Sequence, residues 1–269
     1  MMKFYKYSGA GNTFTIIDGR RLDVRRFKNP RVIHALCLQY ETDGLMILED
    51  PLQGTDFRMT YFNSDGTGGM MCGNGGRCIV AFADLVGVKP FHSTDYVFEA
   101  PDGIHKAKIL SHLGECKIVS LQMSDVSEVR EMRLDDGTEG YFINTGARHF
   151  VTFVDDADTV DVGSEGRRLR RDEHFAPEGT NVDFVSMISD GRFRVRTFEK
   201  GVEAETQACG TGITASAIAA CLKGGRASSA AFSVQANEDE LTVEFTPSNN
   251  SFTDVCLTGP TLCLGDLVE

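Results

Sequence analysis

The feature that most constrains the fold is that the chain is written twice. Cys72-Gly73-Asn74-Gly75 and Cys209-Gly210-Thr211-Gly212 share a Cys-Gly-x-Gly core, 137 positions apart in a chain of 269. Upstream, Phe57-Arg58-Met59-Thr60-Tyr61-Phe62-Asn63 matches Phe193-Arg194-Val195-Arg196-Thr197-Phe198-Glu199 at an offset of 136. Gly9-Ala10 followed by Phe14 to Asp18 corresponds to Gly146-Ala147 followed by Phe150 to Asp155, and Asp43 to Ile47 lines up with Thr180 to Phe184. Four landmarks in one order at one offset imply two copies of one folding unit.

The expected architecture is α+β. Two pseudo-symmetric lobes each form a mostly antiparallel sheet or barrel around a central helix. Phe57 to Phe62 and Arg192 to Phe198 are rich in aromatic and β-branched residues and read as strands. Gly75 to Leu85 and Ile213 to Leu222 are apolar nearly all round, so each reads as a helix buried at the centre of its lobe, the second closed by Gly224-Gly225. Asp102 to Ile109 and Val234 to Phe245 alternate as antiparallel strands do. The boundaries predicted are 1–115 for the first lobe, with 260–269 returning to it, and 116–259 for the second. The functional site is expected in the cleft between lobes that close on a substrate.

A net charge of −12 excludes nucleic acid and anionic membrane as partners, since both need clustered Lys and Arg. No apolar signal core and no run long enough to span a bilayer is found, so a cytoplasmic protein with reduced cysteines is expected. Of eight cysteines, Cys37, Cys78, Cys116, Cys221, Cys256 and Cys263 stand singly among apolar residues and read as small buried hydrophobes. There is no Cys-x-x-Cys or His-x-x-x-His pair, so no metal is expected.

Cys72 and Cys209 differ from the other six. A thiol at the start of a helix meets unpaired N–H groups with positive partial charge, which favours thiolate, and glycines let an anion approach those groups. The Lys-Ser or Lys-Thr of a phosphate loop is missing after the glycines. One such site could be only a tight strand-to-helix turn; two related by duplication point to inversion of a stereocentre. That reaction takes a proton from one face of a carbon and returns one to the other, so it needs an acid/base pair whose roles exchange. Helix N-termini directed at the substrate carboxylate would stabilise the carbanion.

At these residues the sequence resembles the diaminopimelate epimerases. The similarity runs from Gly9-Ala10-Gly11-Asn12 to the terminal strands, and its most diagnostic stretches are Phe62 to Gly66, Met71 to Cys78, Gly179 to Val182 and Glu205 to Gly212. The resemblance implies interconversion of the LL and meso forms of diaminopimelate, for lysine and cell-wall synthesis, without cofactor. It implies Cys72 and Cys209 as the base and acid, with His149 and Glu199 tuning them. Asn12, Asn63, Asn74 and Asn181 would hydrogen-bond the zwitterionic substrate, with Glu199 and Lys200 also at it. Backbone N–H groups at Gly73-Asn74 and Gly210-Thr211 would hold its carboxylate. Nothing but the resemblance suggests a homodimer. Three positions depart from the usual pattern: Lys200 stands for Arg, Gly44 for Gln, and Gly146-Ala147-Arg148-His149 lacks the usual proline. Lys200 and Arg148 could together hold the distal end of the substrate.

Other readings remain open at this point. Proline, hydroxyproline and histidine racemases share the chemistry, although proline-type enzymes carry His where Asn74 stands. A thiol redox sensor and a non-catalytic binding module are readings of a different class.

Overall fold

In the computed structural model, residues 3–20, 22–69, 71–91, 94–225, 230–237 and 239–267 are described. The chain divides into two compact units, Met1–Gln122 with Thr258–Glu269, and Met123–Leu257. The first contains β1 (Phe4–Gly9), β2 (Asn12–Asp18), α1 (Pro30–Tyr40), β3 (Gly44–Glu49), β4 (Phe57–Asn63), α2 (Gly73–Leu85), β5 (Tyr96–Ala100), β6 (Gly103–Leu113) and β7 (Cys116–Gln122). The second contains β8 (Val129–Arg133), β9 (Glu139–Asn144), β10 (Arg148–Phe153), α3 (Val162–Arg170), β11 (Asn181–Ser189), β12 (Arg192–Glu199), β13 (Ala204–Thr206), α4 (Gly210–Lys223), β14 (Ala230–Gln235) and β15 (Glu240–Ser248). A final strand, β16 (Ser251–Leu267), gives its first seven residues to the second unit and the rest to the first.

In the first unit the strands follow one another as β1-β2-β3-β4-β5-β6-β7-β16, and β16 pairs back onto β1, closing a barrel of eight. In the second the order is β9-β10-β11-β12-β14-β15-β16, with β8 on β9. There the ring is drawn together by a bridge between Val126 and Phe252, whose amides donate to each other's carbonyls at 2.8 and 2.7 Å. The units repeat one plan, including the two parallel pairings in each. Phe14 faces Gly44 and Phe57 faces Phe98 in the first; His149 faces Asn181 and Phe193 faces Val234 in the second.

Parallel neighbours need a crossover. In each unit one crossover helix packs outside and the other inside. Outside, α1 starts at Asn29, whose side chain accepts from the Arg31 amide, and Pro30 sets its first turn. Its Ile33 and Cys37 pack with Leu45 and Ile47 of β3, as Val162 and Leu169 of α3 pack with Val182 and Phe184 of β11. Inside, α2 touches β1, β2, β3, β6 and β7, and α4 touches β9, β10, β11, β12, β14 and β15. A strand covered on both faces carries no alternation. That accounts for β3, buried at all six residues, and for the first six of β11.

The changeover expected at 115/116 falls after Gln122. Leu113 and Cys116 face each other across a hairpin turned at Gly114 (φ 66°), and β7 then pairs with β16, so β7 belongs to the first unit. Val234 to Phe245 is two strands rather than one alternating segment, divided by a turn in which the Ala236 amide donates to the Asp239 carbonyl. Cys37, Cys78 and Cys221 are buried as expected, whereas Cys116, Cys256 and Cys263 are only half-buried, because they sit on barrel strands with one face outward. Among the described residues no helix is long and apolar enough to cross a membrane.

The inner helices are the core of each barrel: Ile79, Val80 and Phe82 in α2, and Ala215, Ile218 and Ala219 in α4, are fully buried. Ile79→Ala removes a fully buried side chain from the inner helix, so a loss of about 2–5 kcal/mol is expected on denaturant unfolding. A loss below about 1 kcal/mol would show that the helix is not the packing centre of its barrel.

Candidate active site

Each unit presents one thiol at the mouth of its inner helix. In the first, Cys72 is the N-cap residue of α2, with extended backbone (φ −99°, ψ 146°), and its half-buried Sγ accepts from the Gly75 amide at 3.2 Å. An N–H donor to sulfur, together with the helix dipole, favours the thiolate. A methyl group on Gly75 would lie 3.2 Å from that sulfur, so glycine keeps the amide accessible to it. Six residues on, Cys78 is fully buried and burial pushes its thiol far above the ordinary range, so it packs and does not react.

Asn74 is also buried. Its Nδ2 donates to Asn12 Oδ1 at 2.6 Å, and its Oδ1 accepts from Arg77 Nη2 at 2.9 Å. Asn12 is held there because Ala10 (φ 53°) and Gly11 (φ 85°) make a two-residue left-handed turn that pairs Gly9 with Asn12. Asn12, Cys72, Gly73 and Asn74 therefore form one cluster. Asn63 ends β4 opposite Gly44, with its Nδ2 donating to Thr67 Oγ1 at 3.1 Å. Gly44 has a local cause: a Cβ there would lie 2.6 Å from the Tyr61 ring and 2.7 Å from the Phe62 carbonyl oxygen. Tyr61, a buried residue the sequence did not single out, fills the space a longer side chain would need.

The second unit has the same plan with different partners. Cys209 is the N-cap residue of α4 but makes no side-chain cap. Its Sγ instead lies 3.4 Å from Thr211 Oγ1. Thr211 Oγ1 is 2.9 Å from Nε2 of His149, which is wholly buried, and His149 Nδ1 is 2.7 Å from Asp183 Oδ2. Asn181 Nδ2 donates to the Arg148 carbonyl at 2.9 Å and lies 3.4 Å from His149 Nε2, while its Oδ1 accepts from the Lys200 amide. Burial alone would push His149 down; the charge of Asp183 and its hydrogen bond outweigh it and hold the imidazole above its ordinary value. Burial pushes the half-buried Glu199 carboxyl up, with Thr206 and the charge of His149 pulling the other way. Thus His149, Asn181, Glu199, Lys200, Cys209, Gly210 and Thr211 are brought into one cluster.

Lys200 and Arg148 do converge, but on a protein group. Lys200 Nζ donates to the Glu178 carbonyl at 3.0 Å, and Arg148 Nη1 to its carboxylate at 2.8 Å. The sequence reading missed Arg77, Glu178 and Asp183 as well as Tyr61. For Arg77 and Asp183 the signal was present as a charged residue inside an otherwise apolar helix or strand.

With this geometry in view, the comparisons with known proteins are decisive for the family. A sequence model of diaminopimelate epimerase matches residues 4–127 and 141–262. The chain belongs to the diaminopimelate epimerase family. It is 42% identical over 262 residues to a diaminopimelate epimerase of Flavobacterium psychrophilum, covering 96% of each chain. It is 40% identical to that of Aquifex aeolicus, covering 83% of this chain and 82% of the relative. Among solved structures, a phenazine biosynthesis protein of the PhzF family from Bacillus anthracis superposes with a TM-score of 0.75 at 12% identity, covering 99% of this chain and 98% of that one. A hydroxyproline epimerase from Agrobacterium vitis superposes at 0.70 and 17% identity, covering 99% and 90%. These distant likenesses show a shared fold.

The buried His149–Asp183 pair makes a stability prediction. A group held above its ordinary value stabilises the fold fully below about pH 6.5, where the unfolded imidazole is also protonated, and loses that contribution as the pH rises. Removing one partner of a buried pair costs about 3–5 kcal/mol. His149→Ala is therefore expected to lose that much at pH 6, and to lack the decline in stability above pH 6.5 attributable to the pair. Identical slopes in urea titrations of both proteins from pH 6 to 9 would refute the assignment.

Proposed function

We propose that this chain interconverts LL- and meso-diaminopimelate by passing the α-proton between Cys72 and Cys209. The observation that carries the reading is the repeated cysteine N-cap on the inner helix of each barrel, in a member of the diaminopimelate epimerase family. One cysteine starts as thiolate and takes the α-hydrogen as a proton, becoming a thiol and leaving the bonding pair on carbon. The other starts as thiol and gives its proton to the opposite face, becoming the thiolate. The enzyme then holds the reverse assignment, ready for the other isomer. No cofactor is invoked.

The carbanion is stabilised through the adjacent carboxylate. The first four N–H groups of a helix have no partner within it. Those of Gly73-Asn74 and Gly210-Thr211 are suited to donate to the substrate carboxylate, aided by the helix dipoles. Asn12 and Asn74, bonded to each other, Asn181, bonded to the Arg148 carbonyl, and Asn63 supply donors and acceptors for the amino-acid end. His149 reaches Cys209 through Thr211, and Glu199 adds a half-buried carboxyl group beside His149. The second reading, the same chemistry on a hydroxyproline-type substrate, draws only on the shared fold. A cytoplasmic, homodimeric enzyme of lysine synthesis is the setting that the family suggests.

Deuterium incorporation at the α-carbon of LL- and meso-diaminopimelate in D₂O tests the reading. Exchange with inversion is expected from the reduced enzyme. Cys72→Ala and Cys209→Ala should each lower turnover by at least about a thousandfold, in the range that loss of a general base or acid produces. No exchange on either isomer, with exchange on another amino acid, would transfer the chemistry to that substrate.

A further inference from the structure

The two copies of the repeat differ at one buried position beneath the thiols. Gly75 and Gly212 occupy matching places in the first turns of α2 and α4, and each turn rests on a side chain of the strand below it. In the first copy this is Met46 of β3, whose sulfur would lie 3.4 Å from a methyl on Gly75. In the second it is Asp183 of β11, whose Oδ1 would lie 2.4 Å from a methyl on Gly212. Met46 and Asp183 are themselves matching repeat positions, in Gly44-Leu45-Met46 and Asn181-Val182-Asp183. An apolar thioether in one copy is thus a wholly buried carboxyl group in the other.

Asp183 is held on both oxygens. Thr197 Oγ1 donates to Oδ1 at 2.6 Å, and His149 Nδ1 lies 2.7 Å from Oδ2. Thr197 faces Asp183 across the β11–β12 ladder, at the place where the first copy has Tyr61. From the far side of the imidazole the contacts continue through Thr211 Oγ1 to Cys209 Sγ. Thr211 is itself fixed, its carbonyl accepting from Thr145 Oγ1 at 3.1 Å.

We propose that Asp183 is a positioning residue for Cys209: by accepting from His149 Nδ1 it fixes the ring so that Nε2 is presented, through Thr211, to the Cys209 sulfur. This rests on the reading of Cys209 as a proton-transferring thiol. A carboxylate at Nδ1 keeps a proton on that nitrogen, and favours the doubly protonated ring over the neutral one. The positive end of the buried pair then points toward Cys209 and stabilises its thiolate. The charged or titratable groups facing His149 are Asp183 from β11, Glu199 from β12 and Cys209 from the start of α4. Glu199, whose carboxyl is pushed up by burial, is the weaker counter-charge. At Cys72 the Gly75 amide and Met46 stand where Cys209 has Thr211, with His149 and Asp183 behind it. The two thiols of the repeat are therefore poised by different means.

Asp183→Asn keeps the size of the side chain and removes its charge. The test is the pH dependence of iodoacetamide alkylation, read separately at Cys72 and Cys209 by peptide mass spectrometry without substrate. In the variant the Cys209 profile is expected to move up by one pH unit or more while the Cys72 profile stays in place. With diaminopimelate, kcat is expected to fall at least tenfold with KM within threefold. An unmoved Cys209 profile, or the same displacement of both profiles, overturns the proposal. The alkylation needs no turnover, so its result stands apart from the choice of substrate. Should the variant not fold, wild-type protein with labelled histidine decides: NMR is expected to find His149 protonated on both nitrogens at pH 8, and a neutral ring there overturns the proposal.

Discussion

The chemistry of this molecule depends on a helix being enclosed by the strands it connects. A parallel pair such as β4 and β5 needs a crossover, and here the crossover passes through the barrel as α2; β12 and β14 do the same with α4. An enclosed helix must be apolar along its length, which is why Ile79 to Ala83 and Ala215 to Ala219 carry almost no polar atoms. Its first turn is the place where polar groups are obligatory, because the amides there have no partner within the helix. Burial of the body leaves the half-buried cap as the turn where the chemistry of each barrel is concentrated. In both copies that turn begins with cysteine.

Duplication fixes the position of the two thiols but leaves their surroundings free to diverge. The first cap is closed by the Gly75 amide and lined by Asn12 and Asn74. The second dispenses with the amide cap and relies on Thr211, His149 and Asp183. Reversible proton exchange requires two groups of comparable affinity for the proton, and that requirement does not prescribe how each affinity is reached. The Gly75 amide at Cys72 and the His149–Asp183 pair behind Cys209 are two different surroundings built on the same strand order.

The sequence exposed whatever the repeat duplicated. Strands at Phe57 and Arg192, helices after each Cys-Gly-x-Gly and the thiols themselves were legible because each occurs twice at one spacing. The outer helices were not: α3 runs Val-Gly-Ser-Glu-Gly-Arg-Arg-Leu-Arg, a short amphipathic stretch whose apolar contacts come from distant strands. The parallel pairings were also hidden, since local alternation cannot tell which edge a strand will meet. The boundary expected at 115/116 falls in a hairpin turned at Gly114, a distinction made only by the pairing of β7 with β16. Asp183 lay within a quoted landmark, yet its role follows from His149, 34 residues earlier, and no local pattern joins the two.

The last strand has a consequence for how the chain is made. Closure of the first barrel pairs Phe4 with Leu267, so its first and last strands are separated in sequence by the whole second unit. A ribosome releases β1 to β7 long before the residues that seal them. Until then β1 and β7 are open edges, with amides and carbonyls available to any passing strand. The second unit draws on Met123–Leu257 alone and is complete first. Translation order therefore runs against barrel order: the N-terminal barrel is the first to be started and the last to be finished.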